Sequence, residues 1–210
     1  MDAAAAVGHP RRVRSWSRAA LLAVGVGIAV GALTMVGQRF MPGQWNTLVN
    51  SGAIWLIPVF FVGWRMPSLL WAGAAGAATL LASLAGYYVP PALTGTPHSL
   101  YFVALWTGTA IVAGPLFGVA GYGWRGDRRA LRIIGVALLG GVLVAEGLYI
   151  VLVLRYAWSG WTMIAAGVVA VAVLASRRDR LLTLAALPIL IGAAGAAYAV
   201  ISWLATNPGL

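Results

Sequence analysis

The stretch LLGGVLVAEGLYIVLVL, residues 138–154, decides the fold because it is a long apolar run that carries one acidic side chain, Glu146. A bilayer core takes about 20 consecutive apolar residues per helix. A charge near the middle of the bilayer costs several kcal/mol or more, so an ionisable group kept there is a functional-site hypothesis by default. The other three acids, Asp2, Asp127 and Asp179, lie outside the apolar runs.

The composition places the whole chain in the class of polytopic membrane proteins. The 210 residues are 61% hydrophobic and 9% charged, and the mean hydropathy is +0.90, which leaves no room for a separate soluble domain. The chain has no Cys, which excludes disulfides, thiolate catalysis and cysteine-based metal sites.

Seven apolar segments, separated by short polar or proline-containing breaks, have the length of a membrane-spanning helix. The predicted spans are residues 19–38, 48–64, 68–88, 100–124, 130–154, 161–175 and 181–204. The third break contains Pro90 and Pro91, which are expected to follow the end of the third helix.

The arginines predict the orientation. All fourteen cationic residues are Arg, and twelve of them fall on the inner side if the N-terminus is cytoplasmic, leaving Arg39 and Arg155 outside. This bias follows the positive-inside rule. We therefore predict an all-α polytopic membrane protein with seven transmembrane helices, N-in and C-out, in a bacterial cytoplasmic membrane. Its parts are a cytoplasmic arginine-rich segment (1–18), a single transmembrane domain (19–204) and a short outer tail (205–210).

Glycines spaced four residues apart predict where helices approach each other closely. Gly27 and Gly31 have this spacing in the first span, and Gly114 and Gly118 have it in the fourth. We interpret both pairs as internal packing rather than as a dimer interface, and the oligomeric state stays open.

Helix rise predicts that an acid and several aromatic rings share one layer of the membrane. At 1.5 Å per residue, Glu146 lies about 12 Å below the outer end of its span, and Trp55 reaches about the same depth. Trp106 and Tyr198 fall within about 10 Å of the outer end, and Tyr149 shares a helix face with Glu146. Asn50 and Ser51 lie above this layer at the start of the second span.

These positions predict an aromatic-lined pocket in the outer half of the membrane. Glu146 is the candidate catalytic residue. The candidate substrate-binding residues are Trp55, Trp106, Tyr149, Tyr198, Asn50 and Ser51.

Each of these residues also has a structural interpretation. Glu146 could be the partner of Arg39, of Arg155 or of a tyrosine, and Asn50 and Ser51 could hydrogen-bond between helices. Trp and Tyr also anchor helices at the membrane interfaces, which is the favoured interpretation for Tyr87, Tyr88, Tyr101, Trp158, Trp161 and Trp203.

One acid among aromatic rings fits proton-initiated chemistry. An apolar environment disfavours the ionised form of a carboxyl group, so Glu146 is expected to be a neutral acid. Such a group can give its proton to an apolar substrate or relay protons during transport. Aromatic faces stabilise a desolvated cation by about 2 kcal/mol or more, as a carbocation formed from an alkene or epoxide would require.

In length, helix count and membrane-embedded acid, the chain resembles the small integral-membrane terpene cyclases of meroterpenoid and indole-terpenoid pathways. The resemblance rests on Glu146 in AEGLY with Trp55, Trp106, Tyr149 and Tyr198 as ring donors. It implies a metal-independent cyclase that acts on a lipophilic prenylated substrate. Those cyclases are associated with two acids, whereas this chain has one within a span. The composition, rich in Ala, Gly, Val and Arg and without Lys, also resembles that of membrane proteins from high-GC actinobacteria.

Two other functions remain open. One is a small-solute binding or transport subunit, similar to the vitamin-binding components of energy-coupling transporters, with Glu146 binding the ligand or a proton. The other is a scaffold in which Glu146 is a structural partner. The sequence contains no DDxxD, GxSxG, HExxH or Walker motif, so we expect no metal and no cofactor. The expected partners are a lipophilic small molecule and membrane lipids, and not nucleic acid.

Overall fold

The computed structural model describes residues 10–207, with side chains from residue 17 onward. The predicted segments 1–18 and 205–210 therefore lie partly outside the described residues. All regular elements in the described range are helices: α1 (Pro10–Phe40), α2 (Trp45–Val49), α3 (Gly52–Trp64), α4 (Leu69–Leu93), α5 (Leu100–Arg125), α6 (Arg129–Leu152), α7 (Ala157–Leu174) and α8 (Arg180–Thr206).

Seven stretches of these helices are long and apolar enough to cross a membrane, with α2 and α3 together forming the second. The predicted all-α class and the seven spans are therefore confirmed. The N-in, C-out orientation stays a prediction.

The second span is not the continuous helix that residues 48–64 predict. It is divided at Asn50 and Ser51 into α2 and α3. Ser51 adopts an extended conformation and its side chain accepts a hydrogen bond from Ile54 N at 3.1 Å. A serine N-cap competes with continuation of the preceding helix because it satisfies an amide at the start of a new one. The break therefore creates a helix N-terminus inside the protein.

The third span continues through the proline pair that was expected to follow its end. Pro90 and Pro91 lie within α4. Proline fixes φ near the helical value, so it can occupy a helical position, but it also removes an i→i−4 hydrogen bond and crowds the carbonyl four residues earlier. The helix continues for only two residues after the pair, to Leu93. The helix ends at Thr94 and Gly95, where Gly95 has a positive φ of 75°.

The glycine pairs lie between helices of the same chain, as predicted. A Cβ on Gly31 would meet the carbonyl oxygen of Ser83, and a Cβ on Gly118 would meet that of Ala72. Both carbonyl groups belong to α4, so close backbone contact joins α4 to α1 on one side and to α5 on the other. The GxxxG spacing is explained by internal packing.

Helix α6 is the centre of the C-terminal half of the fold. It packs against α5, α7 and α8, and thirteen of its residues are buried, whereas α8 has one buried residue, Thr183. Glu146 is thus on the most enclosed helix. It faces the start of α3 on one side and α8 on the other.

Candidate functional site

The site is built around the carboxylate of Glu146, which is 6% exposed. Its Oε2 atom accepts hydrogen bonds from Ser51 Oγ at 2.7 Å, from the Ala53 backbone amide at 2.7 Å and from Tyr198 Oη at 2.6 Å. The three donors come from the N-terminus of α3 and from α8. One side chain of α6 therefore joins three segments that are far apart in the sequence.

The break in the second span explains why the Ala53 amide is free to bind Glu146. The first amides of a helix have no partner within the helix, and the N-terminal end carries a partial positive charge. Because α3 begins beside α6, the Ala53 amide points at a carboxylate rather than at lipid. Glu146 acts as a cap for α3 that comes from another helix, while Ser51 caps the same helix locally through Ile54.

The two carboxylate oxygens have different surroundings. All three hydrogen bonds end on Oε2. Oε2 is therefore the oxygen that joins α6 to the start of α3 and to α8.

Tyr198 extends the site from Glu146 towards α8. A Cβ on Gly52 would lie 3.4 Å from the Tyr198 hydroxyl, so the small residue at the start of α3 leaves room for this ring. Tyr198 stacks on Tyr149 with 6.1 Å between the ring centroids and 22° between the planes. The Tyr149 hydroxyl lies 3.1 Å from Ser202 Oγ.

These tyrosines line an open groove of about 470 Å³ between the C-terminal halves of α6 and α8. Glu146 is not part of its wall, and Tyr198 connects the carboxylate to the groove. The lining is aliphatic and aromatic apart from hydroxyl groups. It consists of Ala145, Leu148, Tyr149, Leu152, Val153, Ile191, Gly195, Tyr198, Ala199, Ser202, Trp203 and Thr206.

The predicted site residues divide into two sets. Glu146, Ser51, Tyr149 and Tyr198 lie together, through the contacts given above. The other three lie apart from the groove wall.

Trp55 faces α1 and α4, since its Nε1 donates to Thr34 Oγ1 at 3.0 Å and its ring lies edge-on to Tyr87 at 6.0 Å. Trp106 packs against the main hydrophobic core. Asn50 is exposed at the break between α2 and α3.

The partner of Glu146 is a tyrosine and not an arginine. Arg39 and Arg155 are exposed, and the ion pairs among the described side chains both belong to Asp179. Within residues 10–207, no group of three or more His, Cys, Asp or Glu residues is placed to hold a metal ion.

Three groups at the site were not predicted from the sequence: the Ala53 amide, Ser202, and Trp203 as part of the groove. The dipeptide Ser51-Gly52 was a usable signal for the first, because a serine cap followed by glycine is compatible with a helix start. Ser202 lies one turn along α8 from Tyr198, on the same face, and Trp203 follows it; no acidic residue lies near them in the sequence.

Comparison with curated proteins and with solved structures gave no match. The model of one family does match the chain, and it covers residues 10–205, from the start of α1 to the end of α8 with Glu146, Tyr198 and the groove inside it. The protein therefore belongs to the family of unknown function DUF6518.

Proposed function

We propose that this protein is an integral-membrane terpene cyclase that protonates an alkene or epoxide of a lipophilic prenylated substrate and guides cyclisation of the resulting carbocation. One observation carries the proposal: Tyr198, whose hydroxyl is 2.6 Å from Glu146 Oε2, is also one of the residues that line the apolar groove. A buried acid is thus connected through one hydroxyl-bearing side chain to a space suited to an apolar ligand.

The proton transfer in this proposal is a short relay. In the reactive form, the protonated Glu146 carboxyl group donates to Tyr198 Oη. Tyr198 Oη then gives its own proton to the substrate double bond or epoxide oxygen as it receives the proton of Glu146, which becomes a carboxylate. Ser51 Oγ, the Ala53 amide and Tyr198 Oη then donate to that carboxylate. When the cyclised cation loses a proton, the pair takes it back, so the reaction is an isomerisation and needs no further reactant.

The groove also offers surroundings that a carbocation requires. Tyr149, Tyr198 and Trp203 present aromatic rings along its wall, and an aromatic face attracts a cation by about 2 kcal/mol or more where water is excluded. The aliphatic remainder of the wall is suited to a prenyl chain.

The same lining favours a lipophilic ligand over the water-soluble solute of the alternative transport hypothesis. The groove wall carries hydroxyl groups but no charged side chain, whereas a site for a polar solute needs several converging polar groups. The scaffold hypothesis explains the hydrogen bonds of Glu146 but assigns no role to the groove.

The test is turnover in membranes that contain the wild-type protein, with a farnesylated phenol and its terminal epoxide as probes. With the alkene probe, product formed in D₂O should contain deuterium at the carbon that is protonated first. We expect Glu146→Gln and Tyr198→Phe each to lower the rate by about 100-fold or more, as for the loss of a general acid.

The matched control is Tyr101→Phe, which removes another tyrosine hydroxyl bonded to α8, at Leu204 O, but outside the groove wall. It should retain turnover. Absence of product with both probes, or equal rates in wild type, Glu146→Gln and Tyr198→Phe, would contradict the proposed function.

A further inference from the structure

A second cluster of charged side chains lies at the other end of α6, away from Glu146. Asp179 precedes α8 and is 3% exposed. Its carboxylate accepts from Arg129 Nε at 2.7 Å, from Arg132 Nη2 at 3.2 Å and from Ser176 Oγ at 2.9 Å. The Arg129 guanidinium, followed by the Ser176 hydroxyl, holds the pKa of Asp179 below its ordinary value.

These groups border a cavity of about 330 Å³ lined by Arg129, Arg132, Ser176, Arg178 and Asp179. Three guanidinium groups and one carboxylate leave a formal charge of +2 in its wall. The single negative charge is covered, since the Asp179 side chain is 5% exposed while that of Arg129 is 57% exposed. A ligand that enters the cavity therefore meets cations.

The arginines keep donors available after their contacts within the protein. A guanidinium group has five N–H donors, and Arg129 uses two atoms, Nε on Asp179 and Nη2 on Arg178 O. The Arg178 guanidinium has no protein acceptor within residues 10–207, although its carbonyl accepts from Arg129. Arg132 is largely occupied by Asp179, Gly126 O and Asp127 O, so it is rigid and serves to hold the carboxylate.

We propose that this cavity is a binding site for a phosphate group, with Arg178 and the free edge of Arg129 as its main donors. Planar guanidinium groups bind phosphate oxygens through paired, charge-assisted hydrogen bonds. The position favours the phosphate of an anionic phospholipid headgroup, because α6 and α8 both begin there and the ends of membrane-spanning helices lie at headgroup level. Basic pockets between transmembrane helices bind such headgroups.

The experiment compares Arg178→Gln with Arg177→Gln in the full-length protein. Arg178 lines the cavity and Arg177 does not, although the two are adjacent and both exposed. Native mass spectrometry measures retention of phosphatidylglycerol against phosphatidylcholine with the same acyl chains, at physiological ionic strength.

We expect wild type to retain phosphatidylglycerol selectively. Arg178→Gln should weaken this retention about tenfold, as for a lost charge-assisted hydrogen bond. Arg177→Gln should change it by about twofold or less, because an exposed charge is screened by salt. Equal effects of the two variants, or no preference for the anionic lipid, would overturn the site.

A second measurement distinguishes a lipid phosphate from free phosphate. It also shows whether Arg178→Gln changes the stability of the fold itself. Thermal unfolding is followed with no additive, with inorganic phosphate and with phosphatidylglycerol. Without additive, Arg178→Gln should unfold close to the wild-type temperature, because among the described residues the guanidinium makes no hydrogen bond or ion pair that the substitution would remove. Stabilisation of wild type by the lipid alone assigns the site to a headgroup, stabilisation by inorganic phosphate assigns it to the free ion, and stabilisation by neither refutes it.

Discussion

Replacement of Glu146 by Ala should destabilise the protein by an amount that the three hydrogen bonds to Oε2 define. The Ala53 amide is fixed in the backbone and cannot turn to another acceptor. Leaving it buried and unpaired should cost about 2 kcal/mol. The hydroxyls of Ser51 and Tyr198 can rotate, and each is assigned about 1 kcal/mol. The expected loss in the free energy of unfolding is therefore about 4 kcal/mol.

Glu146→Gln separates the acceptor from the proton. The amide oxygen of Gln can replace Oε2 as the acceptor for these donors, and its NH₂ group takes the place of Oε1. Neutral hydrogen bonds are roughly half as strong as those to a charged group, so the expected cost is about 1 to 2 kcal/mol. The Gln variant should thus fold, while it cannot supply the proton of the proposed reaction.

The assay is equilibrium unfolding in mixed micelles, followed by tryptophan fluorescence. Ser83→Ala is the matched control, because Ser83 is equally enclosed and its hydroxyl bonds only the Thr79 carbonyl within α4; it should cost about 1 kcal/mol or less. A loss below about 1 kcal/mol for Glu146→Ala, or the same loss for the Ala and Gln variants, would refute the role of Oε2 as the acceptor that joins α3, α6 and α8.

Three further predictions concern other parts of the molecule. Gly31→Ala should cost about 1 to 3 kcal/mol by overpacking against the Ser83 carbonyl, whereas Gly25→Ala, with open space around it, should be neutral in the same unfolding assay. The pKa of Asp179 is lowered from 3.8 in the folded protein, so the ionised carboxylate stabilises the fold fully above pH 3.8, and this stabilisation is lost as the pH falls through the pKa of the folded state. Thermal unfolding measured from pH 7 to pH 3 should therefore show a smaller loss of stability at low pH for Asp179→Asn than for wild type. A periplasmic reporter fused after residue 207 should be active and one fused after residue 65 inactive if the chain is N-in, C-out, and the reverse pattern would contradict that orientation.

The spans were predictable from sequence because hydropathy and length are local properties. The division of the second span was not, although Ser51-Gly52 is a local signal. Breaking the helix at this point costs little only if the Ala53 amide finds an acceptor, and that acceptor is Glu146 on α6, 93 residues away in the sequence. The proline pair was expected outside the third helix and lies inside it, because a proline within a helix can kink the helix rather than end it.

The site was predicted in part for equally physical reasons. Depth along a helix follows from residue count, so Glu146, Tyr149 and Tyr198 could be assigned to one layer. The residue count does not give the rotation of a helix about its axis. Trp55 was therefore assigned to the pocket from its depth alone, whereas its side chain faces Thr34 and Tyr87. The arginine cavity was missed because its members come from the start of α6 and the turn before α8, and only packing brings them together.

The structural role of Glu146 is compatible with its proposed chemical role, because the carboxylate accepts the hydrogen bonds and the protonated carboxyl group would supply the proton. Burial among apolar residues disfavours the charged form, whereas three donors and the N-terminus of α3 favour it. A site with burial alone would hold its proton too firmly to give it to an alkene, and a site with donors alone would hold none. The hydrogen bonds that stabilise the fold are therefore the same ones that would stabilise the carboxylate left after proton transfer, and removal of Ser51 Oγ should weaken both. We expect Ser51→Ala to reduce turnover while Glu146 and Tyr198 remain in place, and normal turnover in that variant would show that the α3 cap is only structural.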